Sequence, residues 1–207
     1  LDVSAAEREL QELARRRTEG RLYLCLCGEI STGKSSLVKA LAPGAETEVD
    51  VLGGTTAEVL HYHWQTPGGD EVLLADVPGT GSELDEVGLA EAVRAHVVIY
   101  VTDGDLTRSQ FGDLEALLAI GKPLVLVLNK SDRYRPDELA AIEARLGERL
   151  AELDPSAELV AVSAGGGPEG VEPLRQALQR QVERSEEALD LLRDGAVFEV
   201  VSQRLLA

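Results

Sequence analysis

Short apolar runs and longer amphipathic stretches take turns along this chain. Leu22 to Cys27, Val97 to Thr102 (VVIYVT) and Pro123 to Leu128 (PLVLVL) are almost continuously apolar, the pattern of strands buried on both faces. Leu159 to Val162 reads as a last core strand. His61 to Gln65 and Val72 to Ala75 read as two strands joined through Pro67-Gly68-Gly69-Asp70, a hairpin-like turn. Helical periodicity marks Ser35 to Leu41, Leu84 to Ala95, Leu114 to Ile120 and Asp137 to Leu153. A last helix starts at Val171, with Leu174, Leu178, Val182, Leu189 and Leu192 on one side. Apolar strands separated by helices predict an α/β fold, a mostly parallel sheet covered on both faces.

Both ends carry additions. Ser4-Ala5-Ala6-Glu7 is a capping box, and Val3, Ala6, Leu10 and Leu13 form one stripe for packing against the domain body. Gly195 breaks the last helix, and Ala196 to Leu206 is a short apolar coda. The expected organisation is an N-terminal helix over 1–20, one domain over 21–192 and a C-terminal extension over 193–207.

Charge narrows the partners. With 20 basic against 37 acidic side chains the net charge is −17, so the chain repels nucleic-acid phosphates and anionic lipid heads. Its densest basic cluster, Arg15-Arg16-Arg17, is diluted by Glu7, Glu9, Glu12 and Glu19. No nucleic-acid partner is expected. No apolar run approaches the ~18 residues that cross a bilayer, and no signal peptide opens the chain. The expected location is the cytoplasm, or a membrane periphery reached through sequence outside this chain. A start at Leu1 without any methionine suits a processed chain or an excised fragment.

Several reactive side chains read as structural. Cys25 and Cys27 stand two apart on a strand, poor geometry for a mutual disulfide, and are expected as buried thiols in a reducing compartment. His61 and His63 share a strand face but lack a third ligand, so an exposed or edge-strand pair is expected rather than a metal site. Trp64 is expected to pack, and Arg133 and Arg135 to be solvated.

Chemistry concentrates in three motifs. Gly28-Glu29-Ile30-Ser31-Thr32-Gly33-Lys34-Ser35, followed by Ser36, fits G-x-x-x-x-G-K-[ST] directly after a strand and before a helix. Glycines there let backbone N–H groups curl around phosphate oxygens, and the helix N-terminus adds its dipole. Lys34 neutralises β- and γ-phosphates and the Ser35 hydroxyl ligates Mg²⁺. At this composition about 0.004 matches are expected by chance. Asp76-Val77-Pro78-Gly79 closes a strand; Asp76 can hold Mg²⁺, and Gly79 offers an unencumbered N–H to the γ-phosphate. Asn129-Lys130-Ser131-Asp132 follows PLVLVL. A carboxylate at Asp132 accepts from guanine N1–H and its exocyclic amine, a donor pair that adenine lacks. Asn129 supports it and the Lys130 stem lies over the purine ring. Two of the chain's four lysines fall in these motifs. Between the first two motifs, Gly53-Gly54-Thr55-Thr56 offers a threonine that completes the Mg²⁺ shell only with γ-phosphate present. Ser163-Ala164 supplies backbone amides toward guanine O6.

This order of motifs resembles the translation-factor-related GTPases, and within them the Era and TrmE group (HSR1-type) of bacterial GTPases. Gly-Thr-Thr, Asp-x-Pro-Gly and Gly170-Val171-Glu172-Pro173-Leu174 carry the likeness, which covers about residues 21 to 182. It implies a P-loop G domain with a six-stranded sheet, one strand antiparallel, and GTP hydrolysed to GDP with Mg²⁺. In that pattern the second threonine, Thr56, is the metal ligand beside Ser35 and Asp76, and Lys34, Thr56 and Gly79 act on the reacting phosphate. Ser31 stands where potassium-using relatives carry asparagine, so the phosphate loop is closer to that of dynamin-like GTPases. Thr80 stands where Ras-like proteins have a water-orienting glutamine. The likeness also implies a homodimer across the nucleotide face. Two other readings stand beside the GTPase: a module binding GTP or GDP without useful turnover, favoured by Thr80, and an ATP-using phosphotransferase, opposed by Asn129 to Asp132.

Overall fold

In the apolar strands, odd and even positions serve different core layers. β1 (Arg21–Cys27) sends Tyr23, Cys25 and Cys27 to one face and Leu24 and Leu26 to the other, and none of these five side chains meets solvent appreciably. A computed structural model of the chain describes residues 21–51, 58–65, 71–79 and 84–184. Its further elements are α1 (Lys34–Leu41), β2 (Glu46–Val51), β3 (Glu58–Gln65), β4 (Glu71–Asp76), α2 (Glu86–Arg94), β5 (Val97–Thr102), α3 (Arg108–Ala119), β6 (Leu124–Leu128), α4 (Pro136–Leu153), β7 (Glu158–Ala161) and α5, the helix over 172–184. The expected N-terminal helix, the hairpin turn at Pro67 to Asp70, Gly53 to Thr56, Thr80 and everything beyond 184 lie outside the described residues.

The sheet order is β2-β3-β4-β1-β5-β6-β7. β4, β1, β5, β6 and β7 run parallel, while β3 is antiparallel to both β2 and β4. One reversed strand agrees with expectation, but among the described residues the sheet has seven strands rather than six. The additional strand is β2, Glu-Thr-Glu-Val-Asp-Val, whose Glu46, Thr47 and Glu48 are exposed. Among the described residues its backbone ladder runs to β3, and the exposed Glu46 and Glu48 blunt the sheet edge.

One core layer joins Tyr23, Cys25, Cys27, Val98, Tyr100 and Leu126 to Val87 and Ala92 of α2, Leu114 of α3 and Leu146 of α4. The other joins Leu24, Leu26, Ile99 and Val127 to Leu37 and Val38 of α1 and Leu174 and Leu178 of α5. Helices therefore cover both faces, and every residue of β5 and β6 is buried. Strand interiors this apolar leave the polar chemistry to the carboxyl ends of the parallel strands, where ligands bind in open α/β sheets.

Two local expectations shift. α3 begins at Arg108, well before Leu114, because Thr107 and Gln110 form a reciprocal capping box: Gln110 N–H donates to Thr107 Oγ1 at 3.2 Å and Thr107 N–H to Gln110 Oε1 at 2.8 Å. His61 and His63 part company: His63 is exposed beside Glu48, but His61 is buried. Tyr23 donates its hydroxyl hydrogen to Glu91 of α2, with His61 Nε2 3.1 Å from the Tyr23 oxygen and Arg94 donating to Glu91 at 3.0 Å. Burial works to raise the Glu91 pKa, but hydrogen bonds from His61 and Tyr23 and the Arg94 charge outweigh it and hold the carboxyl below its ordinary value. Neither histidine belongs to a group of three or more metal-ligating side chains among the described residues. Cys25 and Cys27 are free, buried thiols with sulfurs 3.5 Å apart, and Trp64 packs against the α1 and α5 layer, as expected.

Candidate functional site

Four strand ends meet at one edge of the sheet. β1 runs into Gly28–Gly33, β4 into Asp76–Gly79, β5 into Asp103 and β6 into Asn129–Asp132. Their adjacency follows from the central order β4-β1-β5-β6.

The first loop folds back on its own lysine. Gly33 has φ 93°, and a Cβ there would sit 2.4 Å from Asn129 Nδ2, so both the turn and the close approach require glycine. Lys34 is only 8% exposed and donates from Nζ to the carbonyls of Gly28 (2.7 Å) and Glu29 (2.9 Å). Burial lowers its pKa, opposed by the charge of Asp76. Thr32 Oγ1 donates to the Glu29 carbonyl at 3.0 Å. Glu29 is half-buried, Ile30 and Ser36 are exposed, and Ser31 turns the loop with φ 67°.

Ser35, in the first turn of α1, donates from Oγ to Asp76 Oδ2 at 3.0 Å. Asp76 is buried, which raises its pKa; the Ser35 hydrogen bond and the Lys34 charge act the other way. A hydroxyl and a hard carboxylate side by side suit a cation that takes oxygen ligands. A Cβ on Gly79 would lie 2.6 Å from Ile30 N and 2.8 Å from Lys34 Nζ, so this backbone presses against the phosphate loop. The chain is fixed again at Leu84, whose N–H donates to Asp113 Oδ1 at 2.7 Å.

Asn129 is 1% exposed and uses both ends of its amide. Nδ2 donates to the Thr32 carbonyl at 2.9 Å, and Oδ1 accepts from Ala164 N–H at 3.2 Å. Asp132 is exposed; Ser163 Oγ donates to its Oδ1 at 2.6 Å and holds its carboxyl below the ordinary aspartate value. Lys130 donates to the Ser31 carbonyl at 2.5 Å and to Asp103 Oδ2 at 2.6 Å.

The structure therefore brings together Gly28 to Ser36, Asp76, Gly79, Asn129, Lys130, Asp132, Ser163 and Ala164, while Thr56 lies outside the described residues. Arg133 and Arg135 are exposed, and Arg135 pairs with Asp137 and Glu138 of α4. Two neighbours were not anticipated, Asp103 and Tyr134, whose hydroxyl donates to the Asp103 carbonyl. The position of Asp103 directly after a buried strand, like Asp76 and Asn129, was the available signal.

Comparison with known proteins agrees with this geometry. Residues 23–130 match the model of the 50S ribosome-binding GTPase family. The tRNA modification GTPase MnmE of Burkholderia thailandensis is 35% identical over 170 residues, 77% of this chain and 34% of that protein. GTPase Der of Bifidobacterium longum is 31% identical over 132 residues, 60% of this chain and 28% of its own length. The chain thus spans about a third of these relatives. The fold is shared with the G domain of the T. maritima FeoB iron transporter (TM-score 0.58, 25% identity, covering 78% of this chain and 98% of that one). It is also shared with Era in complex with MgGDPNP and 16S ribosomal RNA (TM-score 0.63, 19% identity, 78% and 57%). The family match runs from inside β1 to Lys130 and takes in just over half of the chain, so the chain belongs to the 50S ribosome-binding GTPase family and is a GTPase domain.

Proposed function

We propose that this domain is a Mg²⁺-dependent guanine-nucleotide switch whose site is Gly28 to Ser36, Thr56, Asp76, Gly79, Asn129, Lys130, Asp132, Ser163 and Ala164. The observation that supports it best is the buried Lys34 ammonium, held on carbonyls of its own loop and backed by Ser35 and Asp76. That is a positive charge stored where phosphate oxygens would sit. Ser35 and Asp76, with Thr56, would hold Mg²⁺, which when bound neutralises charge on β- and γ-phosphate oxygens. Lys34 and the N–H groups of the loop stabilise the charge that develops as water attacks the γ-phosphate in line. Gly79 presents its N–H to the γ-phosphate, and the ionised Asp132 accepts from the guanine edge.

The domain proper is assigned to 21–192, with 1–20 and 193–207 as its flanking helix and extension. A homodimer across the nucleotide face is the proposed assembly. The net charge of −17 supports a domain that does not itself bind nucleic acid, although Era does. Among the described residues no helix is long and apolar enough to cross a membrane; the proposed location is the cytoplasm. The test is fluorescent GDP binding with and without Mg²⁺, competed by GTP and ATP, followed by phosphate release from GTP. Competition by ATP as strong as by GTP, or binding indifferent to Mg²⁺, overturns this reading.

A further inference from the structure

Ser31 and Lys130 are the two non-glycine residues with positive φ among the described residues, at 67° and 58°. A side-chain-bearing residue stays in that region only when its surroundings hold it there. Here one ammonium holds both. Lys130 Nζ donates to the Ser31 carbonyl, and its charge is met by Asp103 Oδ2 at 2.6 Å. Asp103 is gripped from its other side as well, because Tyr134 donates its hydroxyl hydrogen to the Asp103 main-chain carbonyl. The rest of that loop is fastened to α4 by Arg145 on Asp105 (2.9 Å) and Arg149 on the Leu106 carbonyl (2.9 Å).

Asp103 is acidic beside a site for a polyanion, so attraction of the ligand does not account for it. Geometry does. The Lys130 stem passes Gly33, its Cε 3.6 Å from where a Cβ on that glycine would lie, and only then reaches Asp103. A flexible four-carbon stem has many rotamers, and a carboxylate at its tip selects one.

We propose that Asp103 is a positioning residue for guanine-nucleotide binding: it fixes the Lys130 stem over the purine plane and, through the same ammonium, the Ser31 turn of the phosphate loop. The proposal rests on the nucleotide-site reading above. Asp103 thereby governs how long a nucleotide stays, whereas the choice of base belongs to Asp132.

The experiment is release of N-methylanthraniloyl-GDP from the whole chain, chased with excess GDP. It compares the parent with Asp103→Ala, Asp103→Asn, Lys130→Ala and the Asp103→Ala/Lys130→Ala double variant, each melted beforehand to verify folding. Asp103→Ala should release nucleotide roughly tenfold faster, the scale of one lost charge-assisted hydrogen bond. Asp103→Asn keeps an acceptor but not the charge and should fall between; it carries the comparison if the alanine variant is unfolded at the assay temperature. In the Lys130→Ala background, Asp103→Ala should add less than about twofold, because its effect passes through the lysine. The ratio of GDP to IDP affinity should be that of the parent, since the hypoxanthine of IDP differs from guanine only in lacking the amine that Asp132 reads. An unchanged release rate in Asp103→Ala and Asp103→Asn, full additivity in the double variant, or a shifted GDP to IDP ratio overturns the proposal. A parent that fails to bind labelled GDP overturns instead the nucleotide-site reading.

Discussion

Replacing Asp76 by asparagine should strengthen the nucleotide-free domain while weakening its grip on Mg²⁺–GTP. The substitution keeps shape and leaves an oxygen to accept from Ser35 Oγ, which now lies 3.0 Å from Oδ2. What it removes is a charge at a site only 6% exposed. Burial raises the Asp76 pKa above its ordinary 3.8, and neither the Ser35 hydrogen bond nor the Lys34 charge cancels that. The sign follows by linkage. With the folded pKa above the unfolded one, the folded state holds the proton longer, so stability is fully present below pH 3.8 and falls as pH rises through the folded pKa. At pH 7 the carboxylate is a net burden, which Asp76→Asn removes. The gain should be about 1 kcal/mol, within the range of single stabilising substitutions, or roughly 2–4 °C in Tm for a domain of this size. It should shrink as pH is lowered from 7 into the acid range, because the parent then takes up its own proton before the unfolded chain does. Thermal unfolding of both proteins without nucleotide, across that pH range, measures this directly. The same variant should lose the Mg²⁺-dependent part of its GTP affinity. A variant no more stable than the parent at pH 7, or one whose advantage is the same at both ends of the range, would refute the reasoning.

Three further outcomes are expected. Lys34→Ala should abolish tight GTP binding while the domain still unfolds cooperatively, because it deletes the charge over the phosphates at roughly 1.5–3 kcal/mol per charged hydrogen bond; isothermal titration alongside a melting curve checks both halves. Asp132→Asn should move preference from guanine to xanthine nucleotides, since an amide donor fits the xanthine carbonyl; unchanged GTP affinity with no gain for XTP counts against the assignment. Turnover of dilute domain should be near 10⁻³ s⁻¹ or below and should rise more than linearly with protein concentration, because Thr80 is too short to orient water as a glutamine does; a concentration-independent rate of ~1 s⁻¹ would place the water-positioning group elsewhere.

The buried strands were legible because VVIYVT and LVLVL leave no polar position to face water, and parallel strands with helices on both sides are what such runs can build. The phosphate-loop and base-selecting motifs stood out for another reason: glycine, lysine and a carboxylate at fixed spacing are visible in the residues themselves, and the structure brings those residues to neighbouring strand ends. β2 was not legible, since its tie to the sheet is a backbone ladder to β3 that leaves no mark on side-chain pattern. His61 was misjudged because its burial depends on Glu91, supplied by a helix distant in sequence. Asp103 went unnoticed for the same reason: an aspartate after a strand is ordinary until Lys130 is seen to reach it. The first turn of α3 was hidden by polar residues whose capping role is local but carries no apolar periodicity.

On the proposed assignment, Asn129 makes the phosphate loop and the base loop two teeth of one chelator. Its single amide is bonded to Thr32 on one side and Ala164 on the other, so neither half can be set without the other. A ligand carrying both guanine and phosphates makes its second contact as an intramolecular event, at the effective concentration its own covalent frame dictates. Guanosine or tripolyphosphate alone must order the whole assembly for half the reward, and their binding free energies should sum to less than that of the intact nucleotide. A domain built this way should respond weakly to phosphate or to a purine alone and strongly to the molecule in which the two are joined.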